Sequence, residues 1–286
     1  MRVIAHSPPK PLGAWISSIW YFEFEGLEVS HEMERILPNG AMQLLVNLHD
    51  DELRWWDGNR QSCARRLPGA ALAGAFARPF VIDTAQQRAI TGVSFAPGGA
   101  AAFFRGSMRE FANDHVALSD LPGCGSIRDE LLEAHSRSVG EVVKTWVRFL
   151  RARWSLERRC DIRNARAQLE AGVSVQQVAD LMSVSVRKFR QDFAGSVGLT
   201  PKAYARVYRL GRLAGSAAAA DGERDWAALA LQHGYFDQSH MIHEFRALTG
   251  VTPMDYSPRS AVDWNHSVLA DADSYNTNSR ADARTG

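Results

Sequence analysis

A seven-residue pattern occurs twice in this chain, as GLTPKAY over residues 198–204 and as GVTPMDY over residues 250–256. Phe193 and Phe245, Gly198 and Gly250, Thr200 and Thr252, Pro201 and Pro253, and Tyr204 and Tyr256 share one offset. Two copies of one unit constrain the fold strongly, because each copy must bury the same kind of face. The later copy is the easier to read. Trp226, Leu229 and Ala230 recur at i, i+3, i+4, the period of a helix. Gly234 can supply the positive φ of a helix-ending turn. Tyr235 and Phe236 take the corner, and Asp237 is placed to cap the next helix. Met241, Phe245 and Leu248 then recur at i, i+4, i+7 as that helix's buried stripe. In the earlier copy Val175, Val178, Ala179 and Leu181 give a first helix, Val184 the corner, Ser185 the cap, and Phe189 and Phe193 the stripe. Two helices joined by a tight turn, the second with a polar outer face, form a helix-turn-helix.

In such a unit the N-terminal part of the second helix reaches base edges in the major groove. In the earlier copy Val186, Arg187, Arg190 and Gln191 point outward if Phe189 and Phe193 point in. Arg can pair bidentately with guanine, or hold a phosphate. In the later copy Gln238, Ser239, Ile242 and His243 point outward; Gln suits adenine, Ser either partner and Ile a thymine methyl. The competing reading is an ordinary solvated face. Residues 160–258 resemble the DNA-binding domain of AraC/XylS-type transcription regulators, on Gly234, Tyr235, Asp237, Gln238, Ser239, His240, Phe245, Gly250, Pro253 and Tyr256. The resemblance implies a sequence-specific regulator that reads successive major-groove segments with two recognition helices. Activation is commoner than repression in that family. Two residues depart from its pattern: His243 stands where a basic residue is frequent, and Phe236 where a small capping residue is usual.

Charge does not carry this reading. The chain holds 33 Lys and Arg against 32 Asp and Glu, and residues 156–258 hold 13 against 11. Phosphate binding needs only a local positive face, and Arg187, Lys188 and Arg190 supply one. Arg206, Arg209 and Arg212, spaced by three on an expected helix over 204–220, either touch phosphate or form a solvated face.

A chain of 286 residues has room for two domains. Residues 1–155 read as a β-rich α+β sensor or dimerisation domain, a small barrel or sandwich followed by helices. Trp20, Phe22 and Phe24 alternate with Tyr21, Glu23 and Glu25 over 18–25; residues 43–48, 79–83 and 89–95 are further strands, and 53–56 with 61–66 a hairpin around Asp57-Gly58-Asn59. FAPGGAAAFF over 95–104 and RILPNG over 35–40 resemble the N-terminal domain of one AraC-type subgroup, which implies a sensor without saying what is sensed. Trp20, Phe22, Trp55, Trp56 and Phe95 either form the core or line an apolar pocket. Ser126 with Asp129 and Ser138 with Glu141 fit helix-capping boxes. The second of these helices carries Val139, Val142, Val143, Trp146, Val147 and Leu150, a stripe that packs on the sensor's sheet or forms a dimer seam.

Residues 151–159 read as the link to an all-α DNA-binding domain over 156–258, with a support helix over 161–171 and helix-turn-helix units at about 174–196 and 226–249. Residues 259–286, rich in Asp, Ser, Asn and Ala, read as a disordered tail. The start of the chain lacks the apolar core of a secretion signal, no apolar run approaches the ~20 residues of a membrane span, and Cys63, Cys124 and Cys160 make neither a zinc spacing nor a disulfide framework. A soluble, cytoplasmic chain is expected. Neither the cluster His233, His240, His243 nor the group His31, Glu32, His49, Asp50 completes a metal site, so no metal, cofactor or catalytic residue is expected. Double-stranded DNA is the expected partner, with RNA polymerase next; a small-molecule effector and a second copy of the chain remain candidates. The rivals are a regulator controlled by a protein partner with no small ligand, and a β-barrel enzyme tethered to DNA.

Overall fold

A computed structural model describes residues 2–24, 33–58, 63–155, 162–220 and 224–269. The N-terminal half is a sandwich of two antiparallel sheets. The larger contains β1 (Arg2–His6), β2 (Ile16–Glu23), β4 (Gln43–Asn47), β7 (Ala70–Ala73), β9 (Ala89–Phe95) and β10 (His115–Ala117), in the order β1-β2-β9-β4-β7-β10. The smaller contains β3 (Met33–Ile36), β5 (Leu53–Asp57), β6 (Arg65–Leu67), β8 (Phe80–Asp83) and β11 (His266–Val268), in the order β11-β3-β8-β5-β6. The expected strands over 43–48, 79–83 and 89–95 are all present. So is the hairpin, as β5 and β6, although residues 59–62 lie outside the described ones. Alternation on β2 sorts its side chains: Ile19 and Tyr21 are buried on one face of the large sheet, and Trp20 and Phe22 point to the space between the sheets.

Two helices cover the outer face of the large sheet, α1 (Ile127–Arg137) and α2 (Val139–Arg153). The stripe of α2 is committed to this packing. Val142, Trp146 and Leu150 are fully buried, and Trp146 Nε1 donates to Thr91 Oγ1 of β9 at 3.1 Å. Trp146 is therefore core and cannot be the dimer seam that its helix also allowed. Ser138 caps α2 by accepting from Glu141 N. Ser126 does not cap α1; its hydroxyl donates to Glu130 Oε1 instead.

The helical half begins with α3 (Arg163–Glu170), then α4 (Val175–Leu181), α5 (Val186–Val197), α6 (Pro201–Ala219), α7 (Trp226–Gln232) and α8 (Gln238–Thr249). It does not stand apart from the sandwich. One continuous core runs from Leu44 and Val93 of the large sheet, through Phe103 and Met108, to Phe193, Tyr204 and Phe245. The C-terminal part of α5 packs on two single-turn 3-10 helices of the sandwich, Gly99–Ala102 and Met108–Phe111. Gly198, which ends α5 at φ +92°, shows how close the approach is: a Cβ there would sit 3.2 Å from both Ala75 Cβ and the Met108 carbonyl.

The expectation of a disordered tail from residue 259 fails over 259–269, and residues 270–286 lie outside the described ones. After α8 the chain returns to the sandwich and adds β11 to the edge of the small sheet, with His266, Ser267 and Val268 opposite Ile36, Arg35 and Glu34 of β3. Arg259 holds Glu34, which is fully buried, at 3.2 Å, and His266 Nδ1 lies 2.6 Å from the same carboxylate. Tyr256 donates its hydroxyl to the Trp264 carbonyl at 2.6 Å, and the Trp264 ring lies against Gly211 and Gly215 of α6. Polar composition misleads here because a short edge strand is held by backbone pairing and by the contacts of Arg259 and His266 with Glu34, with Trp264 as a large apolar contact.

Candidate nucleic-acid interface

Each recognition helix is started by a side chain and ended by a glycine. Ser185 Oγ accepts from Lys188 N at 3.2 Å to open α5, and Asp237 Oδ1 accepts from His240 N at 2.7 Å to open α8. Gly198 and Gly250 close the two helices in the left-handed region. The buried stripes hold as the spacing requires: Phe189 and Phe193 on α5, and Met241, Phe245 and Leu248 on α8, all lie in the core. The support helices are capped as well, α4 by a full Ser174–Gln177 capping box and α7 by Asp225, whose carboxylate accepts from Ala227 N and Ala228 N. Leu181, expected on the apolar face of α4, is instead 66% exposed at its last turn.

The outward positions follow from the stripes. Arg187, Arg190 and Gln191 of α5 are exposed, and Val186 is half-buried at its start. Gln238, Ser239, Ile242 and His243 are exposed on α8. The two faces differ in charge. Among the described residues Arg187 and Arg190 have no ion-pair partner, while Lys188 between them is held by Asp192 at 2.6 Å. On α8 the first two turns carry no Lys or Arg, and Arg246 near the C-terminal end is the exposed cation.

The turns are not the same length. α7 begins 51 residues after α4 (226 against 175), but α8 begins 52 residues after α5 (238 against 186). Ser183, at φ +56°, answers to Gly234, at φ +74°. Val184 N bonds to the Ala179 carbonyl just as Tyr235 N bonds to the Ala230 carbonyl. Phe236 is thus the extra residue of the second turn. It is 86% exposed, and its N–H donates to His240 Nδ1 at 3.4 Å. Relative to the first turn, the second carries one residue more at this position, and Asp237 takes the capping role.

Arg206 and Arg209 do neither of the things their spacing suggested. Both reach across from α6 to Glu244 of α8, at 3.4 and 3.0 Å. Glu244 is buried, and His240 stands 3.8 Å from it. The Arg209 guanidinium also lies over the Tyr235 ring, 4.8 Å from its centroid. Burial, and after it the nearby Glu244 carboxylate, push the Tyr235 phenol up to about 12. This cluster orients α8 on α6. It was missed in the sequence although a signal was there: Glu244 falls at i+3 from Met241, on the apolar stripe, and a carboxylate on a buried stripe needs a cationic partner. His233, the third member of the histidine group, is turned away and shares a hydrogen bond with Ser216 Oγ at 2.9 Å.

Comparison with known proteins divides the chain as the geometry does. Residues 178–259 match a family described as a helix-turn-helix domain, and residues 4–117 match one described as a domain of unknown function, DUF6597. No curated protein matches the sequence. Among solved structures, a singly substituted apo ToxT from Vibrio cholerae strain SCE256 is similar at 10% identity and a TM-score of 0.43, over 83% of this chain and 95% of that one. Wild-type ToxT with a bound unsaturated fatty acid gives 11% identity and 0.40, over 82% and 91%. ToxT from strain O395 bound to (E)-4-(8-methylnaphthalen-1-yl)but-3-enoic acid gives 10% and 0.42, over 82% and 95%. No helix among the described residues is long and apolar enough to cross a membrane.

Proposed function

We propose that this chain, which carries a helix-turn-helix domain over residues 178–259, is an AraC-type transcription regulator that recognises a specific operator through Val186, Arg187, Arg190 and Gln191 of α5 and Gln238, Ser239, Ile242 and His243 of α8. One observation carries this reading. On both recognition helices every inward stripe residue is buried, and the capped first turn is left open to solvent, which is the arrangement a helix needs to enter a major groove. Arg187 and Arg190 are set to fork onto guanine or to hold phosphate. The second helix contributes neutral readout and fewer counterions released. Activation through RNA polymerase, in the cytoplasm, rests on the resemblance alone. Control by a small effector rests on a cavity between the two sheets. That cavity favours a small effector over a signal carried only by a protein partner.

Genome-wide mapping of bound sites, followed by titration of the mapped operator, tests the reading. Saturable binding to one sequence, with competitor DNA of scrambled sequence at least about a thousandfold weaker, is expected at physiological salt. Equal affinity for both would overturn it, and a fall in transcription of the neighbouring genes on deletion would mark an activator.

A further inference from the structure

The large sheet has two faces with different fates. Its outer face is covered by α1 and α2 and fully packed. Its inner face looks across at the small sheet over a cavity of about 420 Å³, within the usual range for small-molecule pockets. The apolar residues between the sheets form only a small separate cluster around Trp55, Ala73, Phe76 and Phe80. Gly92 helps to keep the space: a Cβ there would sit 2.4 Å from the Trp20 indole.

Across the inner face the strands align one polar row. Ser94 of β9 pairs with Gln43 of β4, Gln43 with Ala73 of β7, and Ala73 with His115 of β10. At its first position Ser94 Oγ accepts twice, from Trp20 Nε1 at 3.1 Å and from Gln43 Nε2 at 3.3 Å. A hydroxyl has two acceptor sites and one hydrogen. With both acceptor sites taken, Ser94 can only donate, and among the described residues no acceptor receives that hydrogen. At the other end His115 Nδ1, and Nε1 of Trp55, whose ring meets the His115 ring from the small sheet at 4.5 Å, are buried without hydrogen-bond partners among the described residues. Burial holds the His115 ring neutral, its pKa lowered to about 3. The cations that line the cavity are already matched: Arg54 faces Glu52 and Asp83, each at 3.0 Å, and Arg259 faces Glu34 at 3.2 Å and Asp263 at 3.4 Å.

We propose that this cavity binds an uncharged, largely apolar molecule whose polar group is a hydrogen-bond acceptor, and that Ser94 Oγ donates to it. The inference rests on the reading of the sandwich as the effector domain and gives that effector a chemical class. A carboxylate is disfavoured because it would enter an apolar space in which these lining arginines have carboxylates of their own. The ligand also touches the returning chain, since Arg259, Val262, Asp263, Asn265 and His266 form one wall. That segment leaves the second helix-turn-helix only a few residues earlier, so ligand and second unit share one piece of backbone.

Three probes of one shape test the class on the full-length chain by titration calorimetry: 2-acetylnaphthalene, with a neutral acceptor; 2-ethylnaphthalene, with none; and 2-naphthoate, an anion. The ketone is expected to bind about 3–10-fold more tightly than the hydrocarbon, the usual worth of one net hydrogen bond, and at least about tenfold more tightly than the anion. Ser94→Ala should abolish the preference for the ketone over the hydrocarbon while the hydrocarbon still binds, with near-ultraviolet circular dichroism reporting an intact core. If that variant unfolds, the ranking on the unsubstituted chain decides by itself. Tightest binding by 2-naphthoate would overturn the class and leave the effector reading standing. No binding of any probe to the folded chain would overturn both.

Discussion

Phe193 in the first helix-turn-helix and Phe245 in the second are both fully buried, Tyr204 and Tyr256 close the two units in the same way, and a polar side chain opens each recognition helix. What surrounds these shared parts differs. The first unit is bolted to the sandwich by the C-terminal half of α5, against the turns at 99–102 and 108–111. Its outer face keeps two uncommitted arginines. The second unit touches the sandwich more lightly, with Pro79 3.8 Å from where a Gly250 Cβ would be. It is held by the Glu244 cluster on α6 and by the returning strand β11. Its outer face is nearly neutral. The two copies thus share the skeleton that makes a helix-turn-helix and differ in attachment and charge: the first is packed on the sandwich and carries an exposed charged face, and the second is held on α6 and by the returning strand and carries a nearly neutral one.

The sharpest way to break this comparison is to add the same methyl group to both units. Gly198→Ala should cost about 2–4 kcal/mol, because a left-handed backbone is combined with a crowded contact against the sandwich. Gly250→Ala has the same backbone strain but more room and should cost about 1–2 kcal/mol. Denaturant midpoints measure both, and equal losses would remove the claimed asymmetry of attachment. Next in size is Glu244→Ala, which strands Arg206 and Arg209. Both arginines are about a third exposed, so the loss should be about 2–3 kcal/mol rather than the full penalty for a broken buried pair. Hydrogen exchange should report it in α7 and α8 with α5 unaffected. On the DNA side, Arg187→Ala should weaken operator binding by about 1–3 kcal/mol and relax the preference at one base pair. His243→Ala should do less at pH 7.5. The smallest effect is expected from His243→Arg, a several-fold gain in affinity with a salt slope steeper by about 1. Binding by Arg187→Ala at the level of the unsubstituted chain, with His243→Ala inactive, would reverse the ranking of the two helices.

Much of the helical half was legible because its determinants are local. A cap, a glycine and a 3.6-residue stripe lie within one window of sequence, and both units obeyed them. The one-residue difference between the turns is invisible in the residues that share one offset, because all of them follow the turn. The sandwich was legible in its long alternating strands and illegible in its short ones. β7 is Ala-Ala-Leu-Ala and β10 is three residues long, and neither has the run of β-branched or aromatic residues that marks a strand. They are strands because β4 and its neighbours offer them partners. The aromatic residues divided where composition could not divide them: Phe95 entered the packed core, while Trp20, Phe22 and Trp55 line the cavity. The role of Arg259 and of the strand after it depends on Glu34, 225 residues earlier, and no window of sequence contains both.

β11 also bears on how the chain is made. The small sheet takes its edge strand from residues 266–268, so during synthesis the sandwich must wait, one edge open, while the whole helical half emerges. About 150 residues separate β10 from β11, which at ~5–20 residues per second is roughly 8–30 s. The sandwich can be completed only by a chain that has already released its DNA-reading helices from the ribosome. A nascent or truncated product that ends before β11 would carry an uncovered sheet edge, Glu34 without its Arg259 and His266 partners, and a cavity lacking one wall.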